Sequence, residues 1–121
     1  MKVLAIGAHP DDIEIFMFGL LARFKKMGYK VSLLVATDGS LGGNIDQNKL
    51  KKIRKNEAIK GLANLGSPIF LDLPDGSLGC EESHLQSFRK NIDKISPDLI
   101  VTHNVNDYHS DHRIVSNYVK L

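Results

Sequence analysis

The sequence predicts an α/β fold built on an open, parallel sheet. Short apolar runs of strand length alternate along the chain with longer segments in which apolar residues recur at helical spacing. Gly28, Gly66 and Pro97 stand at joints between these segments, where glycine and proline commonly end helices. Strands separated by helices of this length favour right-handed βαβ crossovers, and such crossovers connect parallel strands.

The first strand and the first helix follow directly from the apolar pattern. Lys2–Gly7 reads K-V-L-A-I-G, an almost unbroken apolar run that indicates a buried strand. A helix is predicted over residues 13–26. Its broad apolar face is expected to comprise Ile13, Phe16, Met17, Leu20, Leu21 and Phe24.

The remaining elements alternate in the same way. They are a strand at Lys30–Thr37, a glycine-rich loop at 38–48, a helix with Ile53, Ala58, Ile59, Leu62 and Leu65 on its apolar face, a strand at Ile69–Leu73, a helix over 81–95, a strand over 99–103 and a helix from Arg113. We expect a Rossmann-like sheet of about four strands in the order 3-2-1-4, with helices on both faces. Residues 1–121 are expected to form a single domain.

Composition and charge exclude several classes of protein. The net charge of +2 is too small to favour binding to nucleic acid or to an anionic membrane. The apolar runs fall well short of the length that spans a bilayer, so no membrane segment is expected. Cys80 is the only cysteine, which rules out a disulfide within the chain and favours a cytoplasmic location.

Polar clusters follow the first and the fourth predicted strands. The loop after the first strand carries His9, Asp11 and Asp12, and the loop after the fourth carries His109, Asp111 and His112. In the order 3-2-1-4 these two strands are neighbours, and their helices lie on opposite faces of the sheet. Ligands of open α/β sheets bind in the crevice that forms at such a point. The two clusters are therefore expected to converge at one crevice.

This combination of residue types predicts metal-assisted hydrolysis. Two imidazoles with one or two carboxylates match a catalytic zinc site, in which three protein ligands leave one position for water. His9 and Asp12 are three residues apart, so both can face one ion. A zinc-bound water becomes a nucleophile near neutral pH, and a nearby carboxylate can accept its proton. Spacing alone leaves open whether Asp11 or Asp12 is the ligand.

Five motifs, in order along the chain, resemble one known family. They are A-H-P-D-D after the first strand, T-D-G-S-L-G-G-N after the second, R-x-x-E in the second helix, L-P-D-G near the third strand and D-Y-H-S-D-H-R after the fourth. The pattern resembles the LmbE-like, or PIG-L, family of zinc-dependent N-acetylglucosaminyl de-N-acetylases. The resemblance implies removal of the acetyl group from an N-acetylated amino sugar.

The resemblance also implies a role for each site residue. The implied zinc ligands are His9, Asp12 and His112, and the implied general base is Asp11. His109 would stabilise the tetrahedral oxyanion or assist the leaving amine, Asp111 would orient His109 by accepting its other ring N–H, and Arg54 and Asp75 would contact the sugar.

The chain departs from the family pattern in three respects. Family members are usually longer, so residues 1–121 are expected to be the N-terminal part of the full domain. A shortened sheet exposes an unpaired edge, which favours a homo-oligomer. The bulky segment Phe16-Met17-Phe18-Gly19 stands where the family has a glycine-rich one, and Ser110 stands where proline is common.

Two alternatives remain open from the residues alone. The chain could be a metal-binding domain without turnover. It could instead be a magnesium-binding receiver domain, with Asp72 or Asp75 as phosphoacceptor and Thr102 as the switch hydroxyl, but that interpretation gives the three clustered histidines no role. Outside the clusters, His103 is expected to pack at the end of its strand and His84 to lie on the surface.

Overall fold

Strands and helices alternate along the whole described chain. The computed structural model describes residues 1–120. Its strands are β1 (Lys2–Gly7), β2 (Lys30–Thr37), β3 (Ile69–Leu73) and β4 (Leu99–Val101), and its helices are α1 (Asp12–Phe16), α2 (Phe18–Lys26), α3 (Gln47–Gly61), α4 (Glu82–Ile95) and α5 (Ser110–Lys120). None of the helices described is both long enough and apolar enough to cross a bilayer.

The sheet has the predicted order and direction. Its four strands lie in the order β3-β2-β1-β4, and every neighbouring pair is parallel. The bounds predicted for the first three strands agree with the structure. β1 and β4 are in register with Ala5 opposite Val101, so their carboxyl ends open onto the same edge of the sheet. The polar loops that follow these two strands are thereby brought together.

Helices cover both faces of the sheet, as expected. Because side chains alternate along a strand, β1 and β2 contribute to two separate cores. One core packs Val3, Ala5, Leu33 and Val35 against Ile13, Met17, Leu21, Leu62 and Leu65, and the other packs Leu4, Ile6, Leu34 and Ala36 against Leu78, Phe88 and Val115. Fully burying one of the larger side chains, Val, Leu, Ile, Phe or Met, contributes about 1.5–3 kcal/mol, so the two cores stabilise the sheet from both faces.

The single helix predicted over 13–26 is wrong, because the chain forms two helices that join at Met17. The backbone of Met17 leaves helical geometry (φ −127°, ψ −12°), although its N–H still bonds to the carbonyl of Ile13. The predicted apolar face is also too broad. Ile13, Met17 and Leu21 are buried, whereas Phe16 is 59% exposed and Leu20 is 48% exposed.

The apolar face predicted for the second long helix is too broad as well. Ala58 and the following Leu62 and Leu65 are buried, but Ile53 and Ile59 are exposed. Within α3 (Gln47–Gly61) the buried residues are Leu50 and Ala58, and the leucines that join the core, Leu62 and Leu65, follow the helix. Helical spacing of apolar residues therefore overestimates how many of them are buried.

β4 is shorter than predicted because side chains replace the backbone ladder beyond Val101. The Thr102 hydroxyl donates to the carbonyl of Ile6 at 2.8 Å. The backbone N–H of Ala8 donates to Nε2 of His103 at 3.0 Å. Two side chains that follow β4 thus bond to the end of β1 and to Ala8, the residue after it.

Two further predictions differ from the structure around the helices. α5 begins at Ser110, three residues before the predicted start, because the carbonyl of His109 accepts the N–H of Arg113. Asp111 and His112 therefore lie on the first turn of a helix. His84 is buried, not on the surface, because its Nδ1 accepts the N–H of Gly79 and turns the ring inward.

Candidate metal centre

The structure brings the predicted site residues to one cleft at the ends of β1 and β4. The cleft has a volume of about 320 Å³. Seven of the eight predicted residues line it, namely His9, Asp11, Asp12, Arg54, Asp75, His109 and His112, together with Leu41, Gly42, Gly76 and Tyr108. Asp111 is buried behind this lining, in contact with His9.

Three buried side chains meet around one carboxylate oxygen at the floor of the cleft. Asp12 Oδ2 lies 3.2 Å from Nδ1 of His9 and 3.1 Å from Nε2 of His112. Two ligand atoms of one tetrahedral zinc ion, each about 2.0–2.1 Å from the metal, are about 3.3 Å apart. Burial would raise the pKa of Asp12, but the nearby imidazoles and the His9 N–H hold it well below its usual range. This group could hold a divalent ion.

The second ring nitrogen of His112 gives an independent test of that fit. Nδ1 of His112 lies 3.0 Å from Oδ1 of Asp107, and because an ionised carboxylate only accepts, this nitrogen carries the proton. Burial lowers the pKa of His112 and favours the neutral ring. Nε2 is buried, and its contact with Asp12 lacks hydrogen-bond geometry, so it has no partner among residues 1–120. A buried nitrogen lone pair of this kind suits a metal ligand.

Asp107 is a site residue that the sequence interpretation did not assign. Its Oδ1 accepts both the ring N–H of His112 and the backbone N–H of His109. The hydrogen bond from the His109 N–H lowers the pKa of Asp107. Its position five residues before His112, in the same polar loop, was the available signal.

His9 lies among three carboxylates. Its Nε2 donates to Oδ2 of Asp111 at 2.9 Å and lies 3.2 Å from Oδ1 of Asp75, while Nδ1 faces Asp12. Burial alone would lower the pKa of His9. The hydrogen bonds to Asp111, Asp12 and Asp75 outweigh burial and raise the pKa to about 11. These contacts favour the protonated, positively charged form of the His9 ring.

The stability of the metal-free protein is expected to fall as the pH rises above neutrality. The folded-state pKa of His9 lies above its unfolded value of 6.5, so its contribution is complete below about pH 6.5 and is lost as the pH approaches about 11. The free energy of unfolding should fall by up to about 1.4 kcal/mol per pH unit within this window. Urea unfolding at pH 7.5 and 9.5, with a chelator present, measures this slope. His9→Gln should lack it, and an equal slope in that variant would contradict the assignment.

Two other groups of side chains could also bring three ligand atoms together. These groups are His9, His109 and Asp111, and His103, Asp107 and His112. In the first, the Asp111 N–H already bonds to Nδ1 of His109, and Oδ2 of Asp111 accepts from His9 and from the N–H of Gly76. In the second, Nε2 of His103 already accepts the N–H of Ala8. Oδ1 of Asp111, however, is buried without a partner among residues 1–120, so existing hydrogen bonds alone do not separate the groups. The group of His9, Asp12 and His112 differs from the other two because all three of its side chains are buried.

Asp11 is placed at the mouth of the cleft by Arg54. Its side chain is half exposed, and Oδ1 lies 3.0 Å from Nη2 of Arg54. Partial burial raises the pKa of Asp11, which suits a group that accepts a proton near neutral pH. Arg54 also donates to the carbonyls of Gly39 and Pro10. One guanidinium thus joins the loops that follow β1 and β2.

The glycine-rich loop is shaped around that guanidinium. Gly39 has a left-handed backbone (φ +67°), and a Cβ there would lie 2.7 Å from Nη1 of Arg54. A Cβ at Gly42 would also overlap Nη1. Glycine at these two positions leaves room for Arg54 to reach Asp11.

Asp75 and Asp111 make contacts that spacing did not predict. Asp75 is held by the N–H of Leu41 as well as by its contact with His9. Asp111 contacts His109 through its backbone N–H, which donates to Nδ1, and not through its carboxylate, which binds His9. The expected orientation of His109 by the Asp111 carboxylate is therefore wrong, because the first turn of α5 directs that side chain toward His9.

His103 lies where it was expected, at the end of its strand. Its ring is buried and stacks on His112, with the ring centroids 3.7 Å apart and the planes at 7°. Together with the hydrogen bond from Ala8, this stacking places His103 between β1 and α5. It therefore supports one flat side of the His112 ring.

The fold and this cleft define a class, an α/β protein with an imidazole–carboxylate centre at the carboxyl edge of a parallel sheet. The chain belongs to the PIG-L family, described as GlcNAc-PI de-N-acetylase, which matches residues 4–121. This membership confirms the resemblance in the motifs and overturns the receiver-domain alternative.

Individual relatives agree with the family. A Bacillus subtilis protein named probable N-acetyl-α-D-glucosaminyl L-malate deacetylase 2 is 31% identical over 110 residues, which are 83% of this chain and 50% of that one. N,N'-diacetylchitobiose deacetylase from Pyrococcus horikoshii is 28% identical in sequence, and its structure matches this one with a TM-score of 0.89. The match covers 98% of this chain and 47% of that one. The 4-carboxy-2-hydroxymuconate hydratase GalB from Pseudomonas putida is 22% identical with a TM-score of 0.88, covers 98% of this chain and 54% of that one, and shows the fold alone. The chain spans about half the length of these relatives.

Proposed function

We propose that this protein is a zinc-dependent hydrolase that removes the acetyl group from an N-acetylglucosamine-type sugar. The observation that carries the proposal is the convergence of His9, Asp12 and the unpartnered Nε2 of His112 in a chain of the PIG-L family. The hydratase with the same fold shows that the fold does not determine the reaction. The proposal therefore rests on the cleft and on the family.

Zinc would be held by Nδ1 of His9, a carboxylate oxygen of Asp12 and Nε2 of His112. Bound zinc would polarise the amide carbonyl and bring the pKa of a coordinated water near neutrality. The other nitrogen of each ring is hydrogen-bonded to a carboxylate, that of Asp111 for His9 and that of Asp107 for His112. Such contacts set which nitrogen is available to the metal.

Asp11 would accept the proton of the attacking water. Its carboxylate lies at the mouth of the cleft, and its ion pair with Arg54 restricts where the oxygens point. A half-exposed carboxylate in this position can take up the proton and release it again to the amine. Asp11 therefore has the role of general base, and the adjacent Asp12 that of ligand.

His109 would donate a hydrogen bond or a proton to the reacting amide. Its Nδ1 accepts the N–H of Asp111, so in the neutral ring the proton resides on Nε2. An N–H donor in the cleft can stabilise the negative charge that develops on the carbonyl oxygen, or donate to the leaving nitrogen. Arg54 and Asp75 line the same cleft and would contact the sugar hydroxyls.

Cys80 is a free, exposed thiol, which is compatible with a reducing, cytoplasmic location. Among residues 1–120, β3 and β4 are the outer strands of the sheet, and a strand left unpaired there would favour a homo-oligomer. Residues 1–121 would be the N-terminal part of a longer family domain, and a metal-binding domain without turnover is the alternative outcome.

Acetate release tests the proposed reaction. The zinc-loaded protein is incubated with N-acetylglucosamine, N,N'-diacetylchitobiose and N-acetylglucosaminyl malate, and acetate and free amine are measured together. We expect the two products in equal amounts from at least one sugar, loss of turnover with a chelator, and recovery when zinc is restored. Stoichiometric zinc binding without acetate from any of these sugars would instead support the domain without turnover.

A further inference from the structure

One carboxylate oxygen in the loop between β4 and α5 organises both histidines of the H-x-x-H motif. Oδ1 of Asp107 lies 3.0 Å from Nδ1 of His112 and 3.0 Å from the backbone nitrogen of His109. The backbone carbonyl of Asp107 accepts from Arg113 at 2.7 Å, which fastens the loop to the first turn of α5. Asp107 does not line the cleft, so it would act through other residues.

The contact with His112 determines where the ring proton resides. A neutral imidazole carries its proton on one nitrogen, and the carboxylate stabilises the tautomer with the proton on Nδ1. Without that acceptor, the tautomer protonated on Nε2 becomes available, and its proton would point toward Asp12. A ring protonated there cannot ligate through Nε2.

The surroundings of His112 leave no other group to make this choice. One side of the ring is stacked on His103, and Nε2 faces Asp12 without hydrogen-bond geometry. Stacking holds the ring plane but does not distinguish its two nitrogens. Asp107 is the one hydrogen-bond partner of the His112 ring among the described residues 1–120.

We propose that Asp107 is a positioning residue that fixes the tautomer and orientation of His112 and thereby sets the zinc affinity of the cleft. The inference rests on the zinc site of the proposed function but not on deacetylation. Removing such a carboxylate partner of a metal-binding histidine typically weakens metal binding about 10- to 100-fold. Asp107 is thus expected to affect metal binding without contacting the metal or the substrate.

Two measurements on three variants test this role. The variants are Asp107→Ala, Asp107→Asn, whose amide oxygen still accepts but carries no charge, and the control Asn104→Ala, which removes a hydrogen bond of the same loop to Asn106 without touching an imidazole. Nitrogen-15 NMR of the metal-free proteins at pH 7.5 reports the His112 tautomer. Competition with a chromophoric chelator reports the dissociation constant for zinc.

We expect the His112 proton on Nδ1 in the unmodified chain and in Asn104→Ala, and a shift toward Nε2 in Asp107→Ala. Zinc binding should weaken about 10- to 100-fold in Asp107→Ala, at least about threefold in Asp107→Asn, and less than about twofold in Asn104→Ala. An unchanged tautomer or an unchanged affinity in Asp107→Ala would overturn the proposal, as would an equal loss in Asn104→Ala. If Asp107→Ala does not fold, Asp107→Asn decides alone, and wild-type affinity in it overturns the proposal.

These readouts separate this inference from the proposed reaction. A protein that binds zinc and shows the expected variant pattern, but releases no acetate, would contradict the deacetylase and leave the role of Asp107 standing. A protein that deacetylates, but whose zinc affinity is unchanged in the Asp107 variants, would support the deacetylase and contradict the role of Asp107. If the unmodified chain binds no zinc, the proposed metal centre fails and this inference fails with it.

Discussion

Replacing His112 by alanine is expected to abolish both zinc binding and deacetylation. The substitution removes the buried Nε2 and leaves only His9 and Asp12 in the group. Losing a direct ligand should cost more than losing its hydrogen-bond partner, so zinc affinity should fall by more than about 100-fold. Acetate release should then fall below detection. Metal analysis after dialysis and the acetate assay measure the two effects separately.

His84→Ala provides a matched control for His112→Ala. His84 is also buried and also makes one hydrogen bond through Nδ1, but it lies on α4, outside the cleft. Its replacement should lower stability while zinc content and turnover per folded molecule stay unchanged. One zinc ion per chain in His112→Ala would contradict the ligand set proposed for this cleft.

Asp11→Asn is expected to keep zinc and lose turnover. The amide has nearly the shape of the carboxylate but cannot accept a proton, so the rate should fall by about 10²- to 10⁴-fold, the usual contribution of a general base. Asp11 is not in the group of three buried ligand atoms, so zinc content should remain near that of the unmodified protein. Turnover at saturating substrate, measured beside metal content, tests this division of roles.

A surface substitution of the same kind controls for the charge change. Asp93 is an exposed aspartate of α4 that does not line the cleft. Asp93→Asn removes one negative charge and should leave zinc content and turnover unchanged. If Asp11→Asn loses as much zinc as His112→Ala, then Asp11 is a ligand, and the assignment of Asp11 and Asp12 to separate roles is wrong.

The sequence predicts the sheet well because its signals are local. The bounds of β1, β2 and β3 follow from apolar runs, and the order 3-2-1-4, expected because it is common in doubly wound folds, is confirmed. The convergence of the two polar loops then follows from the order, since β1 and β4 are neighbours. Local pattern and topology are therefore enough to predict which loops form the cleft.

The missed features depend on contacts between distant residues. Beyond Val101, Thr102 and His103 bond through their side chains to Ile6 and Ala8, which no pattern within 99–103 reveals. The Asp111 carboxylate bonds to His9 and not to His109 because of where α5 begins. The residue types and their spacing indicate a metal centre. The hydrogen-bond partner of each imidazole ring, however, is determined only when the loops pack together.

The long sequence separation of the partners in the cleft has a consequence for how the protein folds. His9 and Asp111, which are hydrogen-bonded, lie 102 positions apart in the chain. Closing so large a loop costs considerable chain entropy, and contacts of this kind slow folding. An ion held by His9, Asp12 and His112 would bind only the finished fold and would lower its free energy relative to the unfolded chain. The metal would then bind at the end of folding and stabilise the contact between the first loop of the protein and α5.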